Sequence, residues 1–401
     1  MSQGPEQLAR VLISCGEPSG DLYAGALSAA LRDLDTGARV FGLGGDHLRD
    51  GGAELVAHYR GLAATGLSEA LAVLPRSYAV YRELVSRARA ERPDVFVAVD
   101  FPEINFRVAA AVRRLGIPVV YYIGPQLWAW RRRRIETMRR LVDLALVIFP
   151  FEEALYREAG IPVEFVGHPL LELSRATEDR AAFLRSLELD PAAPTVALLP
   201  GSRPNELRAI LPDVVRAAGL VRRRIPAAQF VVARAPNLDD ALLAPVGPLV
   251  DSGAAAVCEG RTDDVLAAAD VVVTASGTAT VQTAIHRRPM VIVYRLSALT
   301  YRIVKTFSHV RHAGMANLIA GEPVVPELIQ DAFTPAAVAD EVVSFLTDSP
   351  RAERTRTALG RVRARLGSAG ASRRTAERIL SVAGRGPRSG CLPGDGGESL
   401  Q

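Results

Sequence analysis

Cysteine is scarce in this sequence. Cys15, Cys258 and Cys391 are its three cysteines, and they stand far apart in 401 residues without a Cys-x-x-Cys pair. Such spacing predicts neither a disulfide framework nor a zinc site. A reducing cytoplasm is the compartment that fits this pattern best.

A dominant charge of one sign is also lacking. Lys and Arg number 48 against 44 Asp and Glu, so the formal net charge is +4. Arginines cluster at 131–134 and 222–224, but these runs have no interleaved aromatic side chains that would stack on bases. Nucleic acid is therefore not an expected partner, and the small basic excess argues only weakly for an anionic one.

Hydrophobic runs long enough to cross a bilayer are missing as well. The longest, 141–151, contains Asp143 and falls short of the roughly 20 residues that a spanning helix needs. The N-terminus shows no charged segment followed by a long apolar one. Any membrane contact is therefore expected to be peripheral.

The chain does have abundant apolar residues, 49% of the total, arranged in alternating strand and helix patterns. Its length predicts two domains, and the alternation predicts the α/β class with two Rossmann-like, parallel-sheet domains. A Gly-His-Pro segment marks the hinge, so we place the domains at 1–168 and 169–348. Helices should fill 349–383, and the Gly, Pro and Ser content of 384–401 indicates a disordered tail.

A strand, a glycine turn and a helix start follow one another at 195–207. The apolar run 196–199 predicts a buried strand, and Gly201 and Ser202 end it just before a proline at the first helical turn. Such a junction presents free main-chain N–H groups to a phosphate, with Arg203 available to pair with its charge. The alternative is that Arg203 is an ordinary solvated helix cap.

A second small-residue turn lies at the end of a later strand, 270–274. Ser276, Gly277 and Thr278 precede a short helix there, and they again present N–H groups to an anion. Two such turns in one domain favour a diphosphate ligand more than either would alone.

The first domain offers a carboxylate at the end of a buried strand. Asp100 follows the apolar run 94–99, and in open α/β sheets the chemistry lies beyond the carboxyl ends of the strands. Asp100 is thus a candidate base, although an N-cap for the helix after it is an equal alternative. Another ligand-facing loop is expected after the first strand, at Glu17 and Ser19.

Two further features concern apolar surface. The segment 62–85 predicts either an ordinary amphipathic helix or a surface for a lipid chain or membrane interface. Trp128 and Trp130, the two tryptophans, lie beside four arginines and suit an amphipathic or phosphate-bearing ligand, although they also suit a core. His168 precedes a proline and is expected to be a structural turn residue rather than a base.

Eight motifs in one order make the chain resemble the lipid-A-disaccharide synthase family from about residue 11 to 380. They are SCGEPSGD (14–21), VDFPEINF (99–106), IGPQLWAW (123–130), FVGHPL (165–170), LLPGSR (198–203), ASGTAT (275–280), MANLIAGE (315–322) and PELIQ (326–330).

The resemblance implies a GT-B fold, with two sheets facing a central cleft and C-terminal helices that return to the first domain or pack on a partner chain. It implies an inverting transfer of 2,3-diacylglucosamine from its UDP donor to 2,3-diacylglucosamine 1-phosphate (lipid X). The product is the β-1,6-linked lipid A disaccharide. No metal or other cofactor is implied, and the expected location is the cytoplasmic face of the inner membrane, often as a homodimer.

The resemblance also implies roles for particular residues. Catalytic roles fall to Asp100, Glu17 and Ser19. Donor or substrate contacts are implied for residues of the turns and loops: Gly201, Ser202, Arg203, Ser276, Gly277, Thr278, Gln282, Met315, Asn317 and Trp128. The family usually has Glu at the position of Gln282, so a charged acceptor for a ribose hydroxyl is lost here.

Two other functions remain open from the sequence. One is a UDP-N-acetylglucosamine 2-epimerase, which shares the fold but needs no apolar acceptor surface. The other is a non-catalytic protein that binds a nucleotide sugar or a membrane surface.

Overall fold

A computed structural model of the chain describes residues 8–62, 67–125, 134–236, 238–296 and 312–384. Trp128, Trp130, the arginine run 131–133 and the tail 385–401 lie outside these ranges. Within the described ranges, no helix combines the length and hydropathy that a bilayer span requires.

Seven strands within the described residues form the sheet of the first lobe. They are β1 (Arg10–Cys15), β2 (Arg39–Gly44), β3 (Glu54–His58), β4 (Val95–Val99), β5 (Val119–Tyr122), β6 (Leu144–Val147) and β7 (Val163–Phe165). All neighbours are parallel, in the order β3-β2-β1-β4-β5-β6-β7. β4 and β5 are wholly buried because helices cover both sheet faces, which explains their unbroken apolar sequences.

Helices connect these strands. They are α1 (Pro18–Leu34), α2 (Asp46–Asp50), α3 (Leu67–Glu91), α4 (Pro102–Arg113), α5 (Arg134–Leu141) and α6 (Pro150–Glu158). Three of them, α1, α4 and α6, carry proline in the first turn, where its missing N–H costs no hydrogen bond.

The second lobe contains another parallel sheet, with six strands in the part of the chain that the structure describes. They are β8 (Thr195–Leu199), β9 (Gln229–Arg234), β10 (Ala255–Glu259), β11 (Val271–Ala275), β12 (Met290–Tyr294) and β13 (Glu327–Ile329). Their order is β10-β9-β8-β11-β12-β13. Two doubly wound parallel sheets confirm the predicted α/β fold class.

The second lobe also contains helices, which pack with its sheet. They are α7 (Leu170–Leu173), α8 (Arg180–Ser186), α9 (Pro204–Arg224), α10 (Gly247–Asp251), α11 (Thr262–Ala268), α12 (Thr278–Ile285), α13 (Met315–Ala320) and α14 (Pro335–Thr347), with 3₁₀ turns at Asp240–Val246 and Gln330–Ala332. The sequence of 315–322 predicts a loop, but the structure has α13 there. Its Gly314 cap and its left-handed Gly321 end frame only six residues, too few to show a clear periodicity.

Two C-terminal helices, α15 (Ser349–Arg365) and α16 (Ala371–Ala383), end the described chain. α16 crosses back to the first lobe and packs against α1, β4 and β5. The side chain of Glu172 accepts hydrogen bonds from the N–H groups of Gly370 at 2.6 Å and Ser372 at 3.0 Å. Arg374 Nε donates to the carbonyl of Val166 at 2.9 Å, so the two crossings between the lobes are held side by side.

Candidate functional site

The site lies where the carboxyl edges of the two sheets meet. β1 and β4 are neighbours, and so are β8 and β11, so the four turns that follow them come together in pairs. A contact between the turn after β1 and the turn after β8 then joins the two pairs across the cleft. This geometry brings residues from four distant motifs into one place.

Asp100 is held in an unusual backbone conformation at the end of β4. Both Asp100 and Phe101 have left-handed φ angles, 46° and 47°. The carbonyl of Asp100 accepts hydrogen bonds from Tyr121 Oη and Asn105 Nδ2, each at 2.7 Å, which stabilise this strained turn. Strain of this kind clusters at functional sites. The N-cap of α4 is Phe101, so the alternative interpretation of Asp100 as the N-cap is wrong.

Gly16 is the residue that lets this turn form. A Cβ built on Gly16 would lie 2.2 Å from ring atoms of Phe101, so any side chain there would displace the ring. The ring of Phe101 therefore packs directly on the backbone of the SCGEPSGD motif and fixes the Asp100 turn against the start of α1.

The environment of Asp100 raises the pKa of its carboxyl from 3.8 to about 7. Burial is the largest cause because it disfavours the charged form, and the negative charge of Glu17 adds to it. The N–H of Phe101 and the positive charge of Arg203 lower the pKa, whereas Glu103 raises it. A carboxyl with a pKa near the working pH is suited to accept a proton from a substrate hydroxyl.

Glu17 and Ser19 lie at the start of α1, as the sequence predicts. Glu17 occupies the N-cap position, and its Oε1 accepts a hydrogen bond from Arg203 Nη2 at 2.8 Å. This ion pair joins residues 186 positions apart and spans the two lobes. Ser19 is partly exposed beside Glu17.

The turn before α9 is organised differently from our expectation. Gly201 adopts a φ of 122°, as the sequence suggests for a tight turn, but the N–H of Ser202 donates to Glu206 Oε2 at 3.1 Å. Glu206 lies in the first turn of α9, and its carboxylate accepts the main-chain hydrogen bond that the sequence predicts for a phosphate. The arrangement is similar to a capping box. The side chain of Arg203, rather than the main chain, is then the group of this turn that faces the cleft.

The turn after β11 is more open. Gly277 and Thr278 are exposed, and no atom lies within 4 Å of a Cβ built on Gly277. The Oγ of Ser276 donates to the carbonyl of Ala313 at 2.7 Å, which ties the turn to the segment before α13. The N–H of Ser276 donates to the carbonyl of Val293 at 3.2 Å, so its predicted contact with an anion through the main chain is wrong. The exposed Gly277 and Thr278 are the residues of this turn that offer N–H groups to an anion. Gln282 lies one turn further along α12 and is partly exposed.

Asn317 holds the neighbouring segment in shape. Its side chain is 1% exposed, accepts hydrogen bonds from the N–H groups of Val324 and Val325, and donates to Glu327 Oε1 at 2.8 Å. Glu327 also accepts from the N–H groups of Ala313 and Gly314. The buried side chain of Asn317 therefore stabilises the conformation of this segment. Its predicted contact with the donor stays a prediction.

Met315 is the first residue of α13 and is buried below the same segment. Trp128 lies outside the described residues, so its predicted contact stays a prediction. In the described part of the chain, no three or more His, Cys, Asp or Glu side chains gather as metal ligands would.

Sequence reasoning missed several residues that build the site. Glu206 and Glu327 were not singled out, because a glutamate in a helix or at a strand start is usually solvated. Asp21 was also overlooked. It is buried, and its carboxylate accepts hydrogen bonds from the N–H groups of Gly45 at 2.6 Å and His47 at 3.0 Å. The available signal was its place in the SCGEPSGD motif.

His168 has the structural role expected of it. The ring is 1% exposed, packs against Tyr23 and Phe149, and accepts a hydrogen bond from the N–H of Leu170 at 3.2 Å. Burial lowers the pKa of His168 from 6.5 to about 3, because the charged imidazolium would be desolvated. The ring is therefore neutral at the hinge.

Comparison with known proteins bears on this site. Residues 11–380 match the family model described as lipid-A-disaccharide synthetase. The lipid-A-disaccharide synthase of Geobacter metallireducens is 41% identical over 380 residues, which cover 94% of this chain and 98% of that protein. The synthase of Myxococcus xanthus is also 41% identical, over 375 residues, or 93% of this chain and 97% of that protein.

Similar folds occur among solved structures at lower sequence identity. The UDP-GlcNAc 2-epimerase of Neisseria meningitidis bound to UDP-GlcNAc matches with a TM-score of 0.61 and 10% identity. The match covers 93% of this chain and 100% of that chain. The glycotransferase of kitacinnamycin has a TM-score of 0.63 and 19% identity, with 94% and 100% covered. These structures show the GT-B fold alone, because enzymes of different activity share it.

Proposed function

The chain belongs to the lipid-A-disaccharide synthase family, and from this premise we propose how its site performs the family's reaction. The enzyme is an inverting glycosyltransferase of lipid A biosynthesis. It condenses UDP-2,3-diacylglucosamine with 2,3-diacylglucosamine 1-phosphate (lipid X) and releases the β-1,6-linked disaccharide 1-phosphate and UDP. The observation that carries the residue assignment is the meeting of Asp100, Glu17 and Arg203 between the two lobes.

Asp100 is the proposed base. It takes the proton of the acceptor's 6-hydroxyl while the oxygen of that hydroxyl attacks the anomeric carbon of the donor. The bond from that carbon to the diphosphate breaks on the opposite face, so the configuration inverts. The raised pKa of Asp100 supports this role, since a carboxylate with an ordinary pKa is a weaker proton acceptor.

Arg203 and the Ser276–Thr278 turn are the proposed partners of the departing diphosphate. The diphosphate gains negative charge as the bond breaks, and preoriented donors stabilise that charge in the transition state. Arg203 supplies a fixed positive charge from one side, and the open N–H groups at the start of α12 supply a helix N-terminus from the other. We propose that these groups carry the charge without a metal or other cofactor.

Contact with a membrane surface is a further part of the proposal. Both substrates carry acyl chains, and α3 has exposed apolar side chains at Leu74 (48%) and Tyr78 (59%). Arg76 and Arg82 are exposed on the same helix and suit anionic headgroups. We propose a peripheral site on the cytoplasmic face of the inner membrane, whereas a homodimer rests on the family resemblance alone and is tested by sedimentation.

The decisive experiment measures UDP release from the diacyl donor with and without lipid X. Dependence on lipid X is expected, because the acceptor hydroxyl replaces the UDP leaving group. UDP release that is independent of lipid X would instead favour epimerase-like chemistry, and UDP binding without release would indicate a non-catalytic protein.

A further inference from the structure

The ion pair between Glu17 and Arg203 links two side chains that both belong to the proposed site. Glu17 is the N-cap residue of α1 in the first lobe, and Arg203 is the N-cap residue of α9 in the second. Their side chains are 33% and 40% exposed, and Arg203 has a second, looser partner in Glu206 at 3.8 Å. An ion pair as exposed as this contributes little to stability, so an incoming anion can displace it.

Arg203 is therefore engaged before any donor arrives. Its Nη2 bonds to Glu17 and its Nη1 faces Glu206, so both ends of the guanidinium fork point at carboxylates. Bidentate pairing with a diphosphate uses this same fork. The carboxylate of Glu17 and a phosphate oxygen would also repel each other at hydrogen-bonding distance from one guanidinium.

We propose that Glu17 is a placeholder for the donor's diphosphate, which holds Arg203 in the cleft of the free enzyme and is displaced when the donor binds. Glu17 is thus a positioning residue that acts through Arg203. The inference rests on the proposed function, because it requires Arg203 to bind the diphosphate.

An alternative arrangement predicts an effect of opposite sign. If Arg203 kept Glu17 and bound the diphosphate with its remaining N–H groups, Glu17 would support UDP binding, and its removal would weaken UDP affinity. If Glu17 is displaced, its removal frees Arg203 and strengthens UDP affinity. The sign of the change therefore separates the two arrangements.

The experiment is calorimetric titration of the full-length enzyme with UDP at fixed ionic strength. We expect Glu17→Gln to bind UDP about twofold to fivefold more tightly, the range that an exposed ion pair of up to about 1 kcal/mol allows. Arg203→Ala should weaken binding, and the double variant should match Arg203→Ala. Glu103→Gln is the control, because it removes a negative charge near Asp100 and leaves the ion pair intact.

Three results would overturn the inference. Unchanged or weaker UDP binding by Glu17→Gln would show that Glu17 is not displaced. Tighter binding by Glu17→Gln that persists in the Arg203→Ala background would reveal simple repulsion of the ligand. Unchanged UDP binding by Arg203→Ala would show that Arg203 does not bind the diphosphate. Lipid X-dependent turnover, measured in parallel, tests the proposed reaction separately.

Discussion

The pH dependence of turnover should report the ionisation of Asp100. With a pKa of about 7, the carboxyl is about one-tenth ionised at pH 6 and about nine-tenths ionised at pH 8, so kcat/KM should rise about tenfold between them. An aspartate at the ordinary value of 3.8 would be ionised throughout this range and would give a flat profile. The rise is therefore the signature of the buried site.

Glu17→Gln is the informative perturbation of this profile. Glu17 raises the pKa of Asp100 by the repulsion of like charges, so removing its charge should move the rise to lower pH. The other groups that face Asp100 remain, with Glu103 raising its pKa and Arg203 and the N–H of Phe101 lowering it. Because burial is the largest cause, the midpoint should stay well above 3.8.

The assay is initial-rate UDP release from pH 5.5 to 9 with lipid X below its KM, so that the rate reports kcat/KM. Glu353→Gln is the control. Glu353 pairs with Arg356 on the surface of α15, so its loss should not move the profile. The 1-phosphate of lipid X also titrates near neutral pH, but it would give a rise that Glu17→Gln leaves in place. A flat wild-type profile, or a rise that does not move in Glu17→Gln, would refute the assignment of Asp100 as the base.

Three further predictions follow from the contacts of the site and the hinge. Asp100→Asn should lower turnover by about 10² to 10⁴ with little change in Tm, since asparagine tolerates the left-handed φ; near-normal turnover would reject Asp100 as the base. Gly16→Ala should destabilise the fold by about 1 to 3 kcal/mol, because its Cβ would overlap the Phe101 ring. Gly219→Ala is the control, since its Cβ would meet open space. Equal Tm values for the two variants would contradict this packing. His168 stays neutral in the folded protein but becomes protonated below about pH 6.5 in the unfolded chain. Acidification from pH 6.5 to 5 should therefore lower the free energy of unfolding by about 2 kcal/mol. Denaturant unfolding of His168→Asn should lack this part of the pH dependence.

Local patterns were enough to predict much of the fold. The apolar runs that became β4, β8 and β11 are wholly buried in parallel sheets, and burial on both faces leaves an unbroken hydrophobic sequence. The short strands β3 and β13 were missed, because both lie at sheet edges, are only partly buried and have mixed sequences. Their assignment depends on a neighbouring strand, not on their own composition.

The candidate site was likewise predictable only where the signal lies in neighbouring residues. Asp100 was predicted at the end of its strand, because a buried strand followed by a carboxylate is a local pattern. Its raised pKa depends on burial and on Glu17, and neither is visible in its own segment. Glu206 was missed because its contact with the N–H of Ser202 depends on how the turn before α9 closes.

The sequence by itself thus determined the α/β class, the family and the turns that follow the strands, since each is encoded by neighbouring residues. Tertiary structure alone decided that Glu17 meets Arg203, that the Phe101 ring covers Gly16, and that Glu327 shapes the segment before α13. The physical reason is that such contacts join residues far apart in the chain, and their distances are set by the packing of whole helices and sheets.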